Sequence, residues 1–232
     1  MEYPGNTTQV DQRDIVITAG GTREQIDDVR FVSNFSGGAL GHALAEEFAS
    51  YDRNVLLLAP RAVTDRYGEI EGVEHRTFSS CADLDEKLKS IKSARVVMQA
   101  AAVADYSPVV SEGKISSNED ELVIRMRRNP KILASLREHY GKHTYIVGFK
   151  LLSGVSSGEL LETARNQIAA NRTDMCVAND LKSIHPRTRT VYAVPRGQYP
   201  SLRINGSTRE VARHLSSQVL LMSAAREGVN HG

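Results

Sequence analysis

Residues 15–41 read IVITAGGTREQIDDVRFVSNFSGGALG, and this stretch decides the fold. Ile15-Val16-Ile17-Thr18 is a short β-branched run of the kind that forms a fully buried strand. It stops at Gly20-Gly21-Thr22, where the backbone can turn sharply and come close to a ligand. A polar loop with Arg23, Arg30, Ser33 and Asn34 follows and ends in Ser36-Gly37-Gly38. The next residues, Ala39 to Glu47, favour helix. A strand, a glycine turn and a glycine-rich helix entry make an anion site, because free N–H groups and the helix dipole face one point. The stretch lacks a GxGxxG at the strand-to-helix turn and a Gly-Lys-Ser/Thr, so it is neither the dinucleotide fingerprint nor a Walker loop.

Outward from this stretch, apolar runs alternate with helical segments. Strands are expected at 54–59, 74–78, 95–99, 145–150 and 175–178, with helices at 39–50, 82–93, 129–140 and from Ser156 onward. Pro60 to Gly72 reads as irregular, Leu122 to Met126 as a half-exposed strand, Asn129-Pro130 as a capped helix start and Thr190 to Val194 as a last edge strand. Thr208 to Arg226 is amphipathic and should close the fold as a helix. The pattern predicts an α/β, Rossmann-like, mostly parallel open sheet flanked by helices, with a small β extension. Residues 1–13 should be a loose lead-in and 14–232 a single α/β domain. Ligands bind such sheets beyond the carboxyl ends of the strands, where the glycine turn and the run Ala100 to Tyr106 would both lie.

Composition narrows the function. A net charge of +1 gives no global field toward nucleic acid or a membrane surface. The two cysteines, Cys81 and Cys176, form no CxxC and suit a reducing cytoplasm rather than a disulfide scaffold. No apolar run approaches the ~20 residues that span a bilayer. Asn34, Asp105, Lys150 and Asn179 sit at strand ends, with Arg30 and Lys114 on loops. This set supplies amides and cations around phosphates, with a carboxylate for a metal or an amine, and favours nucleotide-dependent group transfer. Ser107 to Asp120 has the composition of a surface loop.

ITAGGT, DDVRFVSNFSGGALG, AAAVADY, GKI, NPKIL, VGFKLL and VAND, in this order, resemble the phosphopantothenate–cysteine ligases. The resemblance runs from about Asp14 to Asp180. It implies amide formation between 4′-phosphopantothenate and cysteine in coenzyme A synthesis, driven by CTP or ATP with Mg²⁺ through an acyl-nucleotidylate. It further implies a cytoplasmic homodimer with shared active sites. Asn34 matches the residue that holds the substrate carboxylate and acyl intermediate, and Lys114 the lysine of a loop that closes over the reacting groups. Arg30 matches an arginine that reaches the substrate phosphate in the neighbouring subunit, and Ala101, Ala102 and Asp105 match the pantothenate pocket. Gly21, Ser36, Gly38 and Gly41 match the triphosphate cradle, with Phe149 and Asn179 as further nucleotide contacts. The resemblance is to a stand-alone form, since no decarboxylase segment precedes residue 14. Ser116, Ser117, Gln167 and Asn171 stand where the fused bacterial form has lysines, those on the helix serving cytidine recognition; the balance still tilts to CTP. A dinucleotide-binding oxidoreductase of the same fold is the competing reading, and it would want the fingerprint this chain lacks.

Overall fold

The computed structural model describes residues 12–229. The expected lead-in lies outside the described residues as far as residue 11. Gln12 and Arg13 are already strand, and Arg13 binds Asn54 and Glu74. The first half of the chain runs β1 (Gln12–Thr18), β2 (Arg23–Gln25), β3 (Phe31–Ser33), α1 (Ala39–Ala49), β4 (Val55–Ala59), α2 (Arg61–Tyr67), β5 (Val73–Thr77), α3 (Cys81–Ser90) and β6 (Ser93–Gln99). Then come β7 (Tyr106–Pro108), β8 (Met126–Arg128), α4 (Ile132–Tyr140), β9 (Tyr145–Leu152), α5 (Ser157–Asn171), β10 (Met175–Asp180), β11 (Arg189–Pro195), β12 (Leu202–Gly206) and α6 (Thr208–Val229).

Eight strands form one sheet in the order β12-β11-β10-β9-β6-β1-β4-β5. The pairs from β10 to β5 are parallel, while β11 and β12 are added antiparallel. The α/β class and its β extension are therefore as expected. From β1 the chain winds outward through β4 and β5, then returns to lay β6, β9 and β10 on the other side of β1. The order thus reverses between β1 and β6, which is where sheets of this class hold ligands.

The central strands are buried on both faces, so their apolar runs are continuous rather than alternating. Alternate residues serve opposite faces. Ile15 and Ile17 of β1 join Leu44 and Phe48 of α1 and Leu215 and Val219 of α6 on one side. Val16 joins Leu84 of α3 and Leu136 of α4 on the other, and α5 covers Cys176 and Ala178 of β10. Gly41 lets α1 sit directly on β1: a Cβ there would lie 2.5 Å from the Ala19 Cβ. Gly41→Val should therefore lower stability by about 1–3 kcal/mol through overpacking, read as a shifted urea midpoint at constant m.

Several local expectations are corrected. Pro60 to Gly72 contains α2, with Pro60 at its N-cap and only Val63 buried. Asn129 does not cap α4, which begins at Ile132 after Lys131. Its amide instead donates to Ala104 O at 2.9 Å, and its Oδ1 accepts from Ser107 Oγ. Of the strand expected over Leu122 to Met126 only Met126 is strand, as the first residue of β8. β11 is interior, because β12 lies outside it. The helix expected at 82–93 ends at Ser90, since Ser93 already pairs with β1. The polar loop after Thr22 folds into the β2–β3 hairpin.

Candidate active site

The glycine turn after β1 and the alanine run after β6 meet at the switch point and are fastened together. Ala102 N donates to Gly20 O at 2.8 Å and Thr22 N to Ala102 O at 3.2 Å, which makes Gly21 and Ala102 bridge partners. Beneath them the buried Thr18 hydroxyl donates to Gln99 and accepts from Ala101 N, and the Thr22 hydroxyl accepts from Ala104 N. Residues with small or β-branched side chains allow this close joint.

Binding space lies to either side of the joint instead. A cavity of about 370 Å³ is lined by Ser36, Gly38, Gly41, Phe149 and Asn179, so five of the six residues matched to the nucleotide share one wall system. The sixth, Gly21, lies in an adjoining hollow together with Ser36 and Gly37. Gly38 takes φ 74° at the N-cap of α1, where a Cβ would strike Val63. A second cavity of about 620 Å³ is lined by Ala101, Ala102 and Asp105, together with Lys131 and the α5 residues Asn166, Gln167 and Asn171. The two cavities share Ala101, Ala102, Phe149, Lys150 and Leu151, so ligands in them meet along that seam.

Asn34 stands exposed just after β3, its amide donating to Ala102 O at 3.5 Å, which places it beside the seam. Asp105 is exposed and pairs with Lys131 at 2.5 Å. Gln167 is held from both ends: its amide donates to Phe149 O and its Oε1 accepts from the Cys176 thiol. It helps fix Phe149 while lining the larger cavity. Neither cysteine is a nucleophile in waiting. Burial, with nearby carboxylates, pushes the Cys81 thiol up to about 11, and burial pushes Cys176 up to about 12.

Arg30, expected to reach a substrate phosphate in a neighbouring subunit, is engaged within its own chain. Its guanidinium binds Asp27 Oδ2 at 2.7 Å and Ile115 O at 2.7 Å, while Ile115 N donates to Asp27 at 3.0 Å. Asp27, 1% exposed, thereby ties the hairpin turn to the loop that carries Lys114. Lys114 itself is exposed and lines neither cavity. Burial alone would raise the Asp27 pKa, but N–H donors of Val29, Ile115 and Arg30 and the Arg30 guanidinium hold it at about 2. A depressed carboxyl stabilises the fold above its ordinary value of about 3.9, and that contribution disappears as pH falls toward 2. Wild type should therefore be more acid-resistant than Asp27→Asn at pH 5, and the difference should vanish between pH 4 and 2, followed by urea unfolding.

Sequence reasoning gave no role to Lys131, which stands inside NPKIL, or to Asn166 and Arg189, which lie outside every motif. Among the described residues no group of three or more His, Cys, Asp or Glu could hold a metal ion. None of their helices is long and apolar enough to cross a membrane.

Comparison with known proteins matches residues 10–222 to a family described as the DNA/pantothenate metabolism flavoprotein C-terminal domain. The chain is 30% identical over 219 residues to the coenzyme A biosynthesis bifunctional protein CoaBC of Methanocaldococcus jannaschii, covering 94% of this chain and 53% of that protein. The chain spans about half the length, or less, of the curated relatives it matches. It superposes on the crystal structure of the DNA/pantothenate metabolism flavoprotein from Streptococcus pneumoniae with a TM-score of 0.81 at 25% identity, covering 90% of this chain and 99% of that one. The C-terminal domain of a CoaBC protein superposes with a TM-score of 0.72 at 27% identity, covering 90% and 95%.

Proposed function

Because the chain belongs to the family of the DNA/pantothenate metabolism flavoprotein C-terminal domain, we propose that it is a phosphopantothenate–cysteine ligase. The observation that carries this reading is the seam: two cavities, one with the glycine rim and one with Asp105, share Ala101 to Ala102 and Phe149 to Leu151. Two substrates held there have their reacting ends brought together, which is the larger part of what a ligase without a covalent enzyme intermediate must do.

In this reading the nucleotide lies across the seam. Its base points toward α5 and Phe149, and its phosphates toward Ser36, Gly38 and Gly41. The pantothenate arm rests on the small side chains of Ala101 and Ala102. The Asn34 amide holds the substrate carboxylate as it attacks the α-phosphorus and pyrophosphate leaves, then donates to the acyl oxygen as charge develops there when the cysteine amine attacks and the nucleoside monophosphate leaves. Lys114 approaches as its loop closes, and Arg30 exchanges its contact with Ile115 for a substrate phosphate. Mg²⁺ would travel mainly on the triphosphate, with Asp105 the carboxylate on the wall beside it. CTP is the favoured nucleotide and ATP the alternative. A homodimer is supported by Val29, Phe31 and Phe35, large apolar side chains exposed around the hairpin that carries Arg30 and Asn34. The cytoplasm is the compartment that fits two buried free thiols.

The test is pyrophosphate release by purified protein given 4′-phosphopantothenate, cysteine and Mg²⁺ with either CTP or ATP. Release that depends on phosphopantothenate is the expected result, faster with CTP. Absence of release with both nucleotides would sink the reading.

A further inference from the structure

The smaller cavity has a wall that none of the expected site residues supplies. Leu181, Ile184 and Arg189, from the segment joining β10 to β11, complete its lining. The backbone there is fixed: His185 N donates to Thr188 O at 2.8 Å, Ile184 and Arg189 are bridge partners, and Arg189 opens β11. The side chain of Arg189 is therefore carried by a rigid hairpin rather than a loose loop.

Arg189 is half-buried, and among the described residues its guanidinium forms no hydrogen bond or ion pair. Burial lowers its pKa, against a small opposing effect of the Tyr67 phenol. An arginine stays protonated regardless. A cation has thus been partly withdrawn from water with no counter-ion, an arrangement that costs free energy unless an anion completes it. The rest of the lining points the same way, with Lys150 as a second cation and no carboxylate. The larger cavity differs, since Asp105 there offsets Lys131.

We infer that Arg189 binds a phosphate group of the ligand held in the smaller cavity, acting as a binding residue that the family resemblance does not supply. Its planar fork can hold two phosphate oxygens at once. The inference rests on the ligase reading for the identity of the ligand. Two substrates of that reaction carry phosphate, the nucleotide and phosphopantothenate, and the kinetics distinguish them.

The experiment compares wild type with Arg189→Gln and Arg189→Lys in steady-state pyrophosphate release, varying each substrate in turn. Arg189→Gln should raise the KM of one phosphate-bearing substrate about 10- to 100-fold with a much smaller change in kcat. Arg189→Lys should recover part of the loss, and the thermal midpoint should stay at the wild-type value. A raised nucleotide KM assigns Arg189 to the nucleotide's phosphates, and a raised phosphopantothenate KM assigns it to the substrate's. A second measurement needs no turnover: calorimetric binding of inorganic tripolyphosphate should weaken by a similar factor in Arg189→Gln. Unchanged KM values in an active enzyme, or equal tripolyphosphate binding by wild type and variant, would overturn the inference. An inactive wild type that still binds tripolyphosphate through Arg189 would overturn the ligase reading alone.

Discussion

Asn34→Asp should lower kcat for ligation about 100- to 1,000-fold, the usual effect of removing one donor to a developing oxyanion. The substitution keeps the shape of the side chain and exchanges an N–H donor for a negative charge. In the proposed reaction it does so where charge builds on the acyl oxygen, so the transition state should suffer more than the bound substrates. The KM for nucleotide should therefore move little, and kcat should carry the loss. Stability should change by no more than about 0.5 kcal/mol, because the side chain is exposed and its one contact, with Ala102 O, is at 3.5 Å. Steady-state pyrophosphate release on the variant checks this directly. Turnover at the wild-type rate would remove Asn34 from the chemistry.

The largest effect on stability is expected far from the cavities, at Asp174. This carboxylate, 6% exposed, accepts from Ile146 N at 2.8 Å and pairs with Arg137 at 2.5 Å and with Arg226 of α6. Arg137 is desolvated there, and its charge is sustained mainly by Asp174. Asp174→Ala leaves two partly buried guanidinium groups facing each other and an unsatisfied backbone N–H. Breaking a buried pair from one side costs about 3–5 kcal/mol. For a chain of this size that corresponds to roughly 10 °C in the thermal midpoint. Urea unfolding of the variant measures the loss, and a loss of only about 1 kcal/mol would mean that the charge on Asp174 contributes nothing beyond its hydrogen bond to Ile146.

How far the sequence could be read depended on how deeply each segment is buried. β1, β4, β6, β9 and β10 lie under helices on both sides, so they appear as unbroken apolar runs, and the glycine and alanine segments that end two of them could be placed at one site. β12 escaped notice because only Ile204 of its five residues is buried. α2 escaped because Val63 alone faces inward. Asn129 misled for a different reason: its side chain had two tertiary partners that outcompete a cap, and no local pattern shows them. At the site, the glycine-rich entry Ser36-Gly37-Gly38 was legible from the residues alone, whereas the roles expected of Gly41 and Lys114 came only from the resemblance, the Lys114 loop reading as ordinary surface. Arg189 could not have been found, because its significance lies in what surrounds it once β10 and β11 pair.

The placement of α6 has a consequence for how the chain is made. Val211, Ala212, Leu215 and Val219 of this last helix pack into the same core as Ile15, Leu44 and Phe48 from the first fifty residues. On the ribosome, the amino-terminal half emerges long before the helix that must cover it. Until residue 219 clears the exit tunnel, one apolar face of α1 and the adjoining sheet has no lid, and such faces are what chaperones hold and aggregates grow from. Chains stopped short of α6 should therefore collect in inclusion bodies or on holdases rather than persist as a smaller folded enzyme.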